Sequence, residues 1–166
     1  MIQKKIHLFT NEFKIIKTLQ AQFIIKKIFT ENKLLLKKVK KIDYNVILVK
    51  SHNDLLKKNI SLVEMGISYG FGIIFKKSFL KNYKKGIWNV HPGFLPQYRG
   101  RHPITAAFLN DEKKIGISVH IVNEKIDRGL LLVKSHVVRN YKDDEFSIKQ
   151  KLFKILTKVL KKALQN

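Results

Sequence analysis

Short apolar runs that suit buried strands alternate along this chain with segments whose apolar residues recur at helical spacing. The alternation continues through all 166 residues and predicts one α/β domain with a mainly parallel sheet flanked by helices. Ligands of such sheets bind beyond the carboxyl ends of strands, so chemistry is expected in the loops that follow them. The predicted strands are Lys5–Phe9, Asn45–Val49, Glu64–Tyr69, Ile87–Val90, Ile115–Ile121 and Leu130–Val138.

The segments between these runs carry the helix signals. The first predicted helix has apolar residues at helical spacing from Phe13 to Ile28, with Asn11 as its cap. The last, from about residue 144 to 164, has a broad apolar stripe. The stretch Leu34–Lys41 fits neither state clearly. Shorter helices are predicted to start at Asn53 or Asp54 and to cover Ser78–Tyr83 and Ile104–Leu109.

Positive charge dominates the composition, with 34 Lys+Arg against 12 Asp+Glu and a formal net charge of +22. Such an excess is typical of proteins that bind nucleic acid or anionic membranes. Surfaces that read phosphate recruit arginine as well as lysine, yet this chain has only Arg99, Arg101, Arg128 and Arg139. The pattern favours a lysine-rich solvated surface, so nucleic acid is not expected as a partner, although a cationic nucleic-acid binder stays open as an alternative.

Several kinds of site are excluded by what the chain lacks. It has no cysteine, which rules out disulfides, thiolate metal sites and a cysteine nucleophile. No histidine pair has helical metal spacing with a carboxylate, so no metal is expected. No apolar run approaches the ~20 residues of a membrane span. The first seven residues also lack the apolar stretch of a signal peptide, and these features predict a cytoplasmic protein with no membrane partner.

The stretch Gly86–Gly100, which reads G-I-W-N-V-H-P-G-F-L-P-Q-Y-R-G, combines a strand end with a Pro/Gly-marked loop. Asn89 and His91 are two positions apart, so on a strand their side chains face the same way. An amide can donate to a developing oxyanion, and an imidazole can move a proton near pH 7. On these residues alone, an Asn and a His that satisfy loop backbone groups are the favoured interpretation.

Four blocks in this order resemble the folate-dependent formyltransferase family: H-P-G-F-L-P-Q-Y-R-G, P-I-T-A-A-F-L-N-D-E, I-G-I-S-V-H-I-V and K-I-D-R-G-L-L-L. The resemblance is clear from about residue 69 to 133 and implies a Rossmann-like catalytic domain. It also implies transfer of a formyl group from N10-formyltetrahydrofolate to a primary amine, without a metal. The family's catalytic Asn, His and Asp fall on Asn89, His91 and Asp127.

The resemblance further implies a folate pocket and a scaffold around the catalytic residues. Ser118 and the Tyr-Arg-Gly turn at Arg99 are expected to be scaffold, and His120 is expected to be structural. Asp127 is expected to orient His91 and to help remove the amine proton. The implied folate-binding residues are Phe71, Gly72, Ile73, Ile74, Phe75, Val122, Ile126 and Asp127.

Departures from the family pattern reduce the number of possible acceptor amines. The turn Phe9–Glu12 has no glycine to cradle a phosphate, which disfavours a glycinamide ribonucleotide. The 37 residues after Gly129 are too few for the extra domain of the tRNA enzyme. The N-terminal half is taken to be shortened by about one strand–helix unit, of which Leu34–Tyr44 is the remnant.

The chain thus looks most similar to short formyltransferases that act on nucleotide-linked amino sugars. A glycinamide ribonucleotide enzyme and a non-catalytic binding protein with this fold stay open as alternatives, and so does a homodimer. The candidate substrate-binding residues are Lys50, His52, Tyr98, Arg99, Arg101 and His102.

Overall fold

A computed structural model of the chain describes residues 3–42, 44–57 and 63–165. A helix follows each of the first five strands, which is the alternation that the sequence pattern predicts. The elements are β1 (Lys4–Thr10), α1 (Phe13–Gln20), β2 (Phe23–Thr30), α2 (Lys33–Lys40), β3 (Val46–Leu48), α3 (His52–Leu56), β4 (Met65–Tyr69), α4 (Lys77–Leu80), β5 (Ile87–His91), α5 (Pro103–Leu109), β6 (Lys114–Ile121), β7 (Leu131–Val138) and α6 (Glu145–Ala163).

The seven strands form a sheet in the order β3-β2-β1-β4-β5-β6-β7. The pairs from β3 to β5 are parallel, whereas β6 and β7 are antiparallel. The predicted α/β class with a mainly parallel sheet is therefore confirmed. The strand order reverses between β1 and β4, and in sheets of this kind the crevice at such a switch point is where ligands bind.

The described chain divides into two compact units. The first unit comprises residues 1–89 and 122–124, so it holds β1 to β4, their helices and the start of β5. The second unit comprises residues 90–121 and 125–166, and it holds the end of β5 together with α5, β6, β7 and α6. The single domain expected over residues 1–166 stays a prediction.

The predicted long helix from Phe13 to Ile28 is wrong in its second half. The helix ends at Gln20, and Phe23–Thr30 forms strand β2, which pairs with β1 and β3. Isoleucines dominate this segment, and β-branched residues suit a strand better than a helix. The apolar spacing fits both periods, so the parallel pairing on both sides decides the outcome.

Strand β2 and helix α2 together form the second strand–helix pair of the chain. Asn32 caps α2, since its side chain accepts hydrogen bonds from the backbone N–H groups of Leu34 and Leu35. The ambiguous stretch Leu34–Lys41 therefore falls mainly on a helix. Four strand–helix pairs precede β5 in the residues that the structure describes, and the expected shortening of the N-terminal half stays a prediction.

Aromatic rings fill the core of the first unit. The ring of Phe9 stacks on that of Phe29 at 4.9 Å between centroids, and Phe75 meets Phe9 edge-on at the same distance. Offset and edge-on pairs of this kind add to the free energy of burial. The buried members of this aromatic core are Phe9, Phe29, Val49, Leu55, Val63, Phe75, Phe79, Tyr83 and Ile87.

In the second unit the long helix α6 packs against the β6–β7 pair. Asp144 and Ser147 form a reciprocal capping box at its start. The helix therefore begins close to residue 144, where the sequence predicts it. Its buried residues are Ile148, Leu152, Phe153, Leu156, Val159, Leu160 and Ala163. Across the described ranges, no helix combines the length and the apolar character that crossing a membrane needs.

Acid should destabilise the protein through His7, a fully buried residue of β1 whose Nδ1 lies 2.8 Å from the Tyr83 hydroxyl. Burial lowers the pKa of His7 to about 4, and the charge of Lys27 adds to this shift. The unfolded chain has the ordinary pKa of 6.5, so the contribution is complete above pH 6.5 and declines as the pH falls towards 4. We expect a loss of about 3 kcal/mol in the free energy of unfolding from this group.

Urea unfolding at pH 7.5 and at pH 4, with a His7→Gln variant beside the wild type, measures this loss. The variant starts less stable but should lose less of its remaining stability in acid, because residue 7 no longer titrates. An equal loss in both proteins would contradict the assignment to His7.

Candidate active site

Strand β5 carries the first two candidate catalytic side chains. Asn89 and His91 alternate with Trp88 and Val90, so the two polar side chains share one face of the strand. Asn89 is half-buried and pairs with Ser68 in the register of β4 and β5. His91 is only 4% exposed. The strand thus presents an amide and a buried imidazole on one side, as the N-x-H spacing predicts.

The Asp127 carboxylate lies between two imidazoles in the second unit. Its Oδ2 is 3.5 Å from Nδ1 of His91, and its Oδ1 is 3.3 Å from Nε2 of His120. The backbone N–H of Gly100 donates to Oδ2 at 2.9 Å. The side chains of His91, His120 and Asp127 are 5%, 2% and 10% exposed, so water screens this group little.

The protonation states follow from these surroundings. Burial lowers the pKa of His91, and the Asp127 carboxylate and the Tyr98 carbonyl only partly oppose this. Burial raises the pKa of Asp127, but the hydrogen bond from His120, the charge of His91 and the Gly100 N–H outweigh it and leave the pKa below its ordinary value. Near pH 7 the site therefore holds a neutral imidazole beside an ionised carboxylate.

This arrangement suits a residue that takes up a proton. Nε2 of His91 lies 2.5 Å from the Tyr98 carbonyl oxygen, and Nδ1 faces the Asp127 carboxylate. A neutral imidazole has one N–H and can donate to only one of these two acceptors. Once protonated, His91 could donate to both, so these two acceptors offset part of the cost of charging the buried ring.

His120 is a member of the site that the sequence reading misses. It was expected to be structural, but its Nε2 faces Asp127 and its Nδ1 lies 3.3 Å from the carbonyl oxygen of Ile121. The sequence S-V-H could have indicated this role. Ser118 and His120 lie two positions apart on β6, so they face the same side of the strand just before the loop that carries Asp127. A buried histidine at a strand end that faces the chemistry is a candidate partner for a catalytic carboxylate.

Asp127 is held in a strained turn. Its φ of +50° lies in the left-handed region, which residues other than glycine seldom adopt. Two residues later, a Cβ added to Gly129 would lie 1.5 Å from the carbonyl oxygen of Ile121. Only glycine allows the chain to pass Ile121 this closely, so the Asp-x-Gly spacing is a structural requirement of the loop.

The loop after β5 is fixed by Ser118 of β6. The buried Ser118 hydroxyl donates to the carbonyl of Gly93 at 2.7 Å and accepts from the N–H of Leu95 at 3.1 Å. A Cβ on Gly93 would come within 2.7 Å of Pro103, so a larger residue would not fit. The Leu95–Pro96 peptide bond is cis. These contacts agree with the expected scaffold role of Ser118.

The segment Tyr98–Gly100 touches both His91 and Asp127. The Tyr98 carbonyl faces His91, the Gly100 N–H binds the Asp127 carboxylate, and Nε of Arg99 donates to the Asp127 carbonyl at 3.1 Å. The contact of Arg99 with the Asp127 loop suits the expected scaffold role, and both this role and substrate binding by the exposed Arg99 stay predictions.

Tyr98 was predicted to contact substrate, but its hydroxyl donates to Glu112 at 2.6 Å and accepts from Asn110 at 3.3 Å. The bond to Glu112 raises the pKa of Tyr98. The hydroxyl is thus engaged by the protein, and a role in substrate binding would have to displace Glu112.

The other proposed substrate residues differ in exposure. His52 is 9% exposed and its Nε2 lies 3.5 Å from the Ser78 hydroxyl, so it is a buried residue rather than a surface contact. Lys50 is exposed, and its backbone N–H donates to Asp54. In the second unit Arg101 and His102 are exposed. Substrate binding by these residues stays a prediction.

The predicted folate wall lies in the first unit and is only partly surface. Phe71 and Ile73 are half-buried and pack against the aromatic core, and Ile74 is 53% exposed. Phe75 is 5% exposed and belongs to that core, so as a pocket residue it is corrected to a core residue. The N–H of Gly72 donates to the Glu31 carboxylate at 2.6 Å.

The second part of the predicted wall lies before Asp127. Val122 is half-buried and packs on the aromatic core of the first unit, where its N–H donates to the carbonyl of Ile87 at 2.8 Å. Ile126, in the second unit, is 58% exposed. Both are reachable from solvent, and their contact with folate stays a prediction.

The turn after β1 is filled by protein groups. The Asn11 amide accepts from the N–H of Glu31 and from the Thr30 hydroxyl, and it donates to the Glu31 carboxylate at 2.8 Å. A carboxylate thus stands at the ends of β1 and β2, and a phosphate would be repelled there. Among the residues that the structure describes, no cluster of three or more His, Cys, Asp or Glu could hold a metal ion.

Comparison with solved structures shows the class to which this fold belongs. The chain superposes on phosphoribosylglycinamide formyltransferase from Streptococcus pneumoniae TIGR4 with a TM-score of 0.78 and 21% identity, covering 99% of this chain and 100% of that one. Glycinamide ribonucleotide transformylase 1 from Symbiobacterium toebii gives a TM-score of 0.83 and 13% identity, with 97% and 85% covered. The fold is that of formyltransferases.

The amino-acid sequence also matches formyltransferases. The family model described as formyl transferase matches residues 50–164. A methionyl-tRNA formyltransferase of Buchnera aphidicola subsp. Acyrthosiphon pisum (strain Tuc7) is 36% identical over 118 residues, which are 69% of this chain and 37% of the relative. The chain belongs to the formyl transferase family.

A second relative also matches this chain over only part of its length. The methionyl-tRNA formyltransferase of Borreliella burgdorferi (strain ATCC 35210 / DSM 4680 / CIP 102532 / B31) is 39% identical over 79 residues, which are 47% of this chain and 25% of the relative. The chain thus spans roughly a third of the length of the curated relatives it matches.

Proposed function

We propose that this chain transfers a formyl group from N10-formyltetrahydrofolate to a primary amine. The observation that carries the proposal is the buried pair of a neutral His91 and an ionised Asp127, 3.5 Å apart, in a chain of the formyl transferase family. Asn89 two positions before His91 completes the set of side chains.

Each of the three side chains has a role that its surroundings support. The amine nitrogen attacks the formyl carbon, a new C–N bond forms, and the bond from that carbon to N10 of the folate breaks. The Asn89 amide donates to the formyl oxygen as the carbon becomes tetrahedral. His91 takes the proton that the amine loses and returns it to N10, and Asp127 stabilises the imidazolium between these steps.

The folate would contact the first unit at the loop that follows β4. Ile74 and Gly72 are exposed there, and Phe71 and Ile73 offer half-buried apolar surface. The hydrogen bond from Gly72 to Glu31 fixes the loop before any ligand arrives. A preformed apolar wall of this kind suits a flat ring system.

The first candidate acceptor is the one named by the sequence analysis. A nucleotide-linked amino sugar is the acceptor that the sequence predicts, and the comparisons add no support for it. The carboxylate of Glu31 at the ends of β1 and β2 disfavours an acceptor whose phosphate binds there.

A second candidate acceptor is the amino group of methionyl-tRNA. The relatives with the sequence matches given above carry that name, and a net charge of +22 would attract a polyanion. This candidate reverses the expectation that nucleic acid is not a partner, so both need the same test.

The test is to supply N10-formyltetrahydrofolate with one amine at a time and to measure tetrahydrofolate release together with the mass of the formylated amine. The amines are an amino-sugar nucleotide, methionyl-tRNA and glycinamide ribonucleotide. We expect one of them to gain a formyl group at a rate that depends on enzyme concentration.

A reaction without amine serves as the control. Release of formate at the same rate in that control would indicate hydrolysis and would contradict amine transfer. No consumption of the folate with any amine would favour the alternative of a non-catalytic protein with this fold.

A further inference from the structure

Tyr98 makes two kinds of contact. Its side-chain hydroxyl forms a short hydrogen bond, whereas its main chain contacts a catalytic residue. The hydroxyl donates to Oε1 of Glu112 at 2.6 Å, while the Tyr98 main-chain carbonyl faces Nε2 of His91 at 2.5 Å. One residue therefore joins His91 to a carboxylate in the turn between α5 and β6. Such a hydroxyl–carboxylate bond is charge-assisted and stronger than a neutral one.

Glu112 is itself well fixed. Its N–H donates to the carbonyl of Ala107 in α5 at 2.9 Å, and Asp111 before it adopts a left-handed φ of +48°. The Asn110 amide also donates to the Tyr98 hydroxyl. The anchor of Tyr98 thus belongs to a defined turn at the end of a helix.

The main chain around Tyr98 contacts both His91 and Asp127 in the second unit. The Tyr98 N–H donates to the carbonyl of Phe94 at 2.8 Å, which closes the loop after β5. Two residues later the N–H of Gly100 binds the Asp127 carboxylate. Gly93 leaves room for the close approach, since a Cβ there would lie 3.1 Å from both Nε2 of His91 and the Tyr98 carbonyl oxygen.

We propose that the Tyr98–Glu112 hydrogen bond is a positioning contact that holds His91 and Asp127 in register for transfer. The inference rests on the proposed function, because it assigns Tyr98 a role in the same site. Tyr98 and Glu112 act through the main chain of residues 98–100 and do not touch the reacting atoms. Small displacements of catalytic groups lower turnover more than affinity.

The variants Tyr98→Phe and Glu112→Ala remove the bond, and Glu112→Gln keeps an acceptor oxygen in the same place. Tyr141→Phe is the matched control, because Tyr141 is 91% exposed in the same unit. We expect Tyr98→Phe to lower kcat on the order of 10-fold while the KM for the formyl donor stays within about twofold. Glu112→Gln should retain most activity and Tyr141→Phe all of it.

A second readout does not depend on knowing the acceptor. The Tyr98 carbonyl raises the pKa of His91, so releasing it should move the NMR titration of the His91 ring to lower pH. The charged and titratable groups that face this ring are Asp127 and, beyond it, His120. Both remain in the variants, so the shift reports the lost carbonyl contact.

The outcomes separate this inference from the proposed function. If the wild-type protein transfers formyl to none of the amines, the proposed function is contradicted. The NMR titration of His91 then still tests the positioning role of Tyr98. A Tyr98→Phe protein with wild-type kcat and an unmoved titration overturns the inference, even if its melting temperature falls. If Tyr98→Phe does not fold, Glu112→Ala provides the same comparison with Glu112→Gln.

Discussion

Asp127→Asn is expected to lower kcat for formyl transfer by about 10³-fold while the protein stays folded. The substitution keeps the size of the side chain but removes the charge that faces His91 at 3.5 Å and His120 at 3.3 Å. Without that charge the imidazolium formed when His91 takes the amine proton is no longer stabilised. Steady-state kinetics with whichever amine the formylation screen identifies as the acceptor measure the effect.

The KM for the formyl donor should change far less than kcat, since the role of Asp127 lies in the transition state. His91→Gln should cost a similar factor, and the double variant should be little worse than either, because the two residues act as one unit. A pure rise in KM, with kcat unchanged, would contradict the proton role of Asp127.

Gly129→Ala is expected to destabilise the second unit and to displace the Asp127 loop. The added Cβ would lie 1.5 Å from the Ile121 carbonyl oxygen and 3.2 Å from Nδ1 of His120. Main-chain atoms cannot move aside like a flexible side chain, so the loop itself must shift. We expect a loss of about 3 kcal/mol in the free energy of unfolding, measured with urea, together with most of the activity.

Gly100→Ala is the comparison for this effect. Gly100 has a φ of +98° but no heavy atom within 4 Å of its added Cβ, so only backbone strain of about 1–2 kcal/mol is expected. Equal destabilisation by the two substitutions would show that the close passage of Gly129 by Ile121 is not what constrains the loop.

Much of the architecture could be predicted from local pattern. β5, the β6–β7 pair and α6 fall within a residue or two of their predicted bounds, because their apolar spacing fits one period only. The segment from Phe23 to Ile28 could not be assigned in this way. Its apolar residues satisfy a helix as well as a strand, and pairing with β1 and β3 decides between them.

Some residues of the candidate site could be predicted from the sequence, and others could not. The resemblance to the formyltransferase family implies Asn89, His91 and Asp127, because its catalytic motifs fall on these residues. Glu112 is joined to the site by a hydrogen bond from Tyr98, 14 residues earlier in the chain, which no motif spacing reveals. The position of His120 on β6, just before the Asp127 loop, could have indicated its contact with Asp127.

Thermal unfolding with a non-hydrolysable 10-formyl folate analogue tests the central claim most directly, because it needs no acceptor. At an analogue concentration 100 times Kd, binding to the folded chain should add about 2.7 kcal/mol of stability and raise Tm by several degrees. Asp127→Asn should show a comparable rise, since its defect lies in turnover. An unchanged Tm at saturating analogue would contradict the claim that this chain uses a formyl folate.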